Sequence, residues 1–209
     1  MLRRSIIAAL ALCAIGVASC RAQDTSHEEA NRLASLLKWH SGSVVAEIGA
    51  GEGKLTLEAA QRVGPSGKVF TTELDAQKLA HLQELAANEK NITALKAGET
   101  DTNLPPLCCD SIFMRLVYHH LTKPAEIDAS LFRSLKKGGR LAVIDQEPRE
   151  GTSIPEGVPT NRGGHGVPQK IVTSELIAAG FKLKTVQDDW PNSDPSRHLY
   201  CVVFTKTKP

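Results

Sequence analysis

Aromatic residues are scarce in this chain, with two Trp, two Tyr and five Phe among 209 residues. Leu, Val, Ile and Ala must therefore fill the interior, and a 41% hydrophobic content is enough for one sizeable core. A disulfide framework is also missing. Of five cysteines, Cys13 falls in an N-terminal apolar run and Cys20 just after it. That leaves Cys108, Cys109 and Cys201, an odd number without zinc-site spacing. The adjacent pair Cys108-Cys109 either closes a vicinal disulfide in an oxidising compartment or packs at the start of a buried strand. Excess charge is absent too. Arg3 and Arg4 are the only charged residues before Cys20, and without them 23 basic residues face 23 acidic ones. Such a balance gives no electrostatic footprint for nucleic acid and no polybasic membrane patch. No internal repeat or low-complexity tract is present. The longest apolar run, Ile6 to Val17, is about a dozen residues, too short for a comfortable membrane span.

What the N-terminus does contain is an export pattern. Arg3 and Arg4 form a positive start, the apolar run follows, and Val17-Ala18-Ser19-Cys20 fits a bacterial lipoprotein box. On that reading residues 1–19 are a signal peptide and Cys20 carries lipid. An ordinary signal peptide cut near Ala22 is the alternative. Residues 20–25 are then a polar tether and residues 26–209 a single domain. The expected location is exported, periplasmic or anchored to the membrane only through that lipid.

The mature chain alternates strand-like and helix-like segments. Strands are expected at 44–48, 68–72, 92–96, 111–116, 140–144, 182–186 and 199–205. Helices are expected at 54–62, 76–88, 126–135 and 172–179, with an earlier one opened by a capping box at Ser26-His27-Glu28-Glu29. This order predicts an α/β fold, doubly wound and Rossmann-like, with a mostly parallel sheet of about seven strands. The segment from Pro148 to Pro168 has no periodicity and is read as a long loop starting at the carboxyl edge of the sheet, rich enough in glycine to be mobile without ligand.

The first strand runs into Glu47-Ile48-Gly49-Ala50-Gly51-Glu52-Gly53. Glycines there let the backbone turn sharply and approach a ligand. A dinucleotide fingerprint would want its third glycine at position 54, where Lys54 stands. The observed Glu-x-Gly-x-Gly-x-Gly instead resembles the first motif of class I S-adenosylmethionine-dependent methyltransferases. Three further stretches resemble that family in the right order: 67–75 with Glu73, 110–121 with His119-His120-Leu121, and 135–145 with Gly138-Gly139. Together they cover roughly residues 26 to 207.

The resemblance implies S-adenosylmethionine as cofactor, an antiparallel last strand and transfer of a methyl group to a small or medium-sized acceptor. It implies that Gly49, Gly51 and Gly53 face the methionine part of the cofactor. Glu47 organises the loop near its amino group, Glu73 accepts the ribose hydroxyls and Glu99 approaches the adenine. Tyr118, His119 and His120 follow the fourth strand, where the acceptor sits, and His165 is a further catalytic candidate. Asp145-Gln146-Glu147 could line the same pocket. The three histidines could converge on a metal, but no spacing singles that out and none is expected. The rival function is an exported, non-catalytic binding protein that keeps the fold and holds a nucleoside-like ligand.

Overall fold

In the computed structural model residues 25–194 and 197–207 are described. The expected signal segment 1–19 and Cys20 lie outside them. Among the described residues no helix is long and apolar enough to cross a membrane.

After helix α1 (25–37), the elements run β1 (Val44–Ile48), α2 (Lys54–Val63), β2 (Lys68–Glu73), α3 (Ala76–Asn88), β3 (Ile92–Lys96) and β4 (Cys109–Arg115). Then come α4 (Pro124–Ser134), β5 (Leu135–Gln146), α5 (Gln169–Ala178), β6 (Phe181–Trp190) and β7 (Leu199–Lys206). The seven strands form one sheet in the order β3-β2-β1-β4-β5-β7-β6. The first five pair in parallel, and β7 lies antiparallel between β5 and β6. The fold is thus the seven-stranded α/β arrangement expected from the sequence.

The strand pleat sorts side chains to two faces. In β4, Ile112 and Met114 join Leu141 and Val143 of β5 under α4 and α5, where Leu131, Val172 and Leu176 are buried. Phe113 between them points the other way, with Ala142, Ile144 and Val45, toward Ala30 and Leu33 of α1 and Ala59 and Val63 of α2. Aliphatic residues carry most of both layers, as the shortage of aromatics requires.

Several boundaries differ from expectation. β5 begins at Leu135 rather than Arg140, since Cys109 pairs with Leu135 before the register shifts to Ser111 opposite Arg140. β6 continues to Trp190 through two irregularities against β7. The capping box is not realised. The helix is already under way at residue 25, and the Glu29 carboxylate turns inward to Arg115 and Trp190. Cys108 and Cys109 are joined as a vicinal disulfide, while Cys201 is free and buried.

The segment 148–168 is a loop, as its lack of periodicity indicates, but it carries its own anchors. A short 3-10 turn spans Thr160–Arg162. Arg162 is fully buried and grips both carboxylate oxygens of Glu175 on α5 at 2.9 and 3.0 Å. Val158 and Val167 are buried, and the Val167 amide donates to the Gln146 carbonyl. The glycine run itself has little side-chain bulk, and the loop is anchored beside it by Arg162, whose burial the local sequence does not signal.

Candidate functional site

β1 leads outward to β2 and β3 on one side of the sheet, and the chain then returns to place β4 on the other side of β1. The connections after β1 and β4 therefore diverge, and a crevice opens at the carboxyl edge, the usual ligand position in such sheets. It has two compartments that share Gly49, Gly51 and Arg115. One, of about 380 Å³, is walled by Ile48, Leu74, Ala97 and Val117 and edged by Glu73, Glu99 and His120. The other, of about 310 Å³, is polar and contains Glu29, Glu47 and Lys54.

The glycine turn divides its labour. Gly51 has φ +55°, and a β-carbon built on it would meet nothing within 4 Å. It is an open cradle between the compartments. Its amide donates to Glu73 Oε2 at 3.0 Å. The other carboxylate oxygen accepts from the Leu74 and Asp75 amides at 2.8 and 3.2 Å. Glu73 is thereby fixed at the end of β2 with its oxygens on the cleft wall. Gly53 does a different job from the one expected. A β-carbon there would fall 2.6 Å from Leu85 and 2.9 Å from Leu82. Gly53 lines neither compartment and lets α2 start close against α3.

Glu47 is 4% exposed and receives the Thr56 hydroxyl. Burial pushes its carboxyl up to about 8, with the Thr56 hydrogen bond pulling partly back. Glu29 is raised as well, again by burial, against the opposing pull of Arg115. Arg115 Nε lies 2.8 and 2.9 Å from the two Glu29 oxygens, and Trp190 Nε1 donates to the same carboxylate at 2.8 Å. Two buried carboxyls beside a guanidinium suit a ligand end carrying both an ammonium and a carboxylate. Glu29 and Arg115 were not among the residues singled out by sequence. Arg115 had a signal, a charge ending an apolar strand. Glu29 had none, since its position in a helix start reads as capping.

On the other side of Val117 the chain makes a 3-10 turn, Tyr118–His120. His119 is buried, its Nδ1 2.7 Å from Asp145 Oδ1 and its amide 3.1 Å from Asp145 Oδ2. His120 faces the first compartment. His165 arrives from the long loop through a β-bridge to Arg149. The ring centres of His119 lie 4.0 Å from those of His120 and 5.0 Å from those of His165, and the last two are 5.3 Å apart. Burial, then His119, lowers the pKa of both His120 and His165, with His165 adding to the effect on His120 and Arg149 to that on His165. Both favour the neutral ring, the form a proton acceptor needs.

Tyr118 is corrected. It is fully buried, with its hydroxyl 2.9 Å from Asp128 Oδ2 and 2.9 Å from Glu175 Oε2. Burial pushes its pKa up, so it is a packing residue with no access to the cleft. Of the Asp145-Gln146-Glu147 run, Asp145 orients His119 and Gln146 Nε2 donates to the His165 carbonyl at 3.3 Å. Glu147 instead accepts the Gln169 amide at the start of α5. Glu99 is exposed on the rim of the first compartment.

Comparison with known proteins agrees with this geometry. Residues 46–143 match a family model described as a methyltransferase domain. A ubiquinone/menaquinone biosynthesis C-methyltransferase, UbiE, of Marinomonas sp. (strain MWYL1) is 28% identical over 108 residues, covering 50% of this chain and 43% of its own length. The chain thus matches less than half the length of that relative. A S-adenosylmethionine-dependent methyltransferase structure from Aquifex aeolicus superposes with a TM-score of 0.68 at 24% identity, covering 85% of this chain and 89% of that one. The [4+2]-cyclase SpnF superposes with a TM-score of 0.71 at 12% identity over 88% of this chain and 82% of its own. The methyltransferase-domain match implies S-adenosylmethionine as the cofactor. The open Gly51 cradle, Glu73 and the Glu47–Glu29–Arg115 set fit such a molecule, which has a nucleoside at one end and an amino acid at the other. The chain therefore has the class I S-adenosylmethionine-dependent methyltransferase fold, with a methyltransferase-domain sequence match over residues 46–143.

Proposed function

We propose that this protein is a S-adenosylmethionine-dependent methyltransferase acting on a small or medium-sized acceptor. The observation that carries this reading is the two-compartment cleft joined at Gly51, apolar around Glu73 and polar around Glu47, Glu29 and Arg115. Glu73 would hold the ribose, Glu99 would stand at the adenine rim, and Glu47 with Arg115 would take the ammonium and carboxylate. When bound, the cofactor supplies an electrophilic methyl group on a sulfonium. The chain's contribution is proximity and orientation. His120 reaches the cleft wall and His119 stands behind it, aligned by Asp145, so a proton leaving the acceptor has the His120 imidazole to receive it.

The fold alone does not decide activity, as a [4+2]-cyclase shares it. Calorimetric titration with S-adenosylmethionine and S-adenosylhomocysteine tests the cofactor site. Transfer of labelled methyl to candidate thiols, phenols and amines tests turnover. Saturable cofactor binding without transfer to any acceptor would favour the non-catalytic binding protein. Absence of binding would overturn both.

The same proposal includes export. The Val17-Ala18-Ser19-Cys20 box supports a lipid on Cys20 and a periplasmic or membrane-anchored location. Mass spectrometry of the mature N-terminus tests it, and an unlipidated N-terminus at Gln23 would overturn it.

A further inference from the structure

We propose that His119, His120 and His165 form a metal site on the acceptor side of the cleft, selective for a divalent transition ion of the zinc type. One nitrogen of each ring lies within 4.8 Å of the others. Ligand nitrogens on one tetrahedral zinc ion stand about 3.4 Å apart at bond lengths of about 2.0–2.1 Å. The longest edge must therefore shorten by at most roughly 1.4 Å, a movement within reach of side-chain rotation. Imidazole suits zinc, copper, nickel and iron, and excludes magnesium and calcium, which want oxygen.

Three features build the site. His119 is buried and has its Nδ1 on Asp145 Oδ1 at 2.7 Å. That contact fixes the ring and leaves Nε2 as the ligating atom, the arrangement seen behind metal-bound histidines. His120 is adjacent and opens on the cleft. His165 is brought in from the long loop by glycines on both sides. A β-carbon at Gly166 would strike the Glu147 carbonyl oxygen at 2.6 Å and Pro148 Cα at 2.7 Å, and one at Gly164 would strike the Arg149 carbonyl oxygen at 2.9 Å. Any side chain at either position would push the loop, and His165 with it, away from the other two rings. The Gly-His-Gly run is therefore shaped to deliver one imidazole to a pair already in place.

Arg149 Nη2 lies 3.0 Å from His165 Nδ1. That hydrogen bond has to be released when an ion is bound, because Nδ1 then either ligates the ion or carries the ring proton while Nε2 ligates. Three protein ligands leave a tetrahedral ion one open position, as in catalytic rather than structural zinc sites. With His120 on the wall of the compartment, the open position would be offered to a heteroatom of the acceptor, a thiol or hydroxyl. An ion here would occupy the ring nitrogens that otherwise accept a proton, so the site is an alternative to the imidazole base, and its test reads metal binding alone.

The test uses the purified full chain, stripped with a chelator and titrated with Zn²⁺ by calorimetry without cofactor. One saturable ion per chain is expected. His165→Ala and His120→Ala should each weaken it by more than 100-fold, beyond the roughly 10–100-fold that Asp145→Asn should cost as loss of an outer partner. His165 sits on a loop, so its variant should keep the fold by circular dichroism. The surface variant His81→Ala should bind as the parent does. Absence of stoichiometric binding, or a site that survives either His120→Ala or His165→Ala, would overturn the proposal.

Discussion

At the residue scale, Glu73 and Glu47 make opposite uses of a carboxylate. Glu73 is held by three backbone amides and presents its oxygens to the cleft. Glu73→Ala should weaken S-adenosylmethionine binding by about 1.5–3 kcal/mol, the range for hydrogen bonds to a charged group. Calorimetry on folded protein checks this, and unchanged affinity would remove Glu73 from the site. Glu47 is raised from 4.5 to about 8 by burial. The folded state therefore holds a proton that the unfolded chain has lost between those values. Stability should fall as pH rises through that window, by at most about 1.4 kcal/mol per unit, and level off above it. Glu47→Gln should flatten the trend in urea melts taken from pH 5 to 9. An ammonium placed against Glu47 would favour its charged form. Cofactor binding at pH 7 should then release a proton, seen as binding heats that depend on the buffer's ionisation enthalpy. The Gln variant should lose that dependence.

The element scale is where the long loop and the glycine turn belong. Arg162 lies between Glu175 and the Tyr118 ring, with Asp128 on the other side of the tyrosine hydroxyl. Removing it would leave the buried Asp128 and the half-buried Glu175 without their cation. Arg162→Ala should cost about 3–5 kcal/mol in unfolding experiments and raise amide exchange across residues 150–167, where His165 sits. Unaltered exchange would mean that other contacts hold the loop. Gly51→Ala tests the turn more cleanly than a larger substitution. Its methyl would enter open space, so binding should suffer, while the positive φ adds a stability cost of about 1 kcal/mol. Binding equal to the parent's would make the turn merely structural. The sequence showed this turn plainly, because glycine spacing after an apolar strand is a local signal. It did not distinguish Gly51 from Gly53, because the difference lies in what each faces. Leu82 and Leu85 of α3, remote in the chain, decide it.

At the scale of the whole molecule, the export pattern and the domain are separate pieces of information. Cys20→Ala should release a soluble form or leave an uncleaved precursor, read by membrane fractionation and mass spectrometry. Unchanged membrane attachment of a cleaved form would show that Cys20 does not carry the anchor. The sequence by itself determined the α/β alternation, the mostly parallel sheet, the glycine turn and the place of Glu73 at the end of β2. Each of these is written in local periodicity or in residues a few positions apart. Only the tertiary structure decided which charges and rings meet. Glu29 reaches Arg115 across 86 residues, Asp145 reaches His119 across 26, and Trp190 returns to Glu29 across 161. Tyr118, beside His119 in the chain, is turned into the core while His120 faces the cleft. The physical reason is that strand pleat and helix pitch are properties of the backbone nearby. The company a side chain keeps is set by how the sheet stacks distant segments at its carboxyl edge.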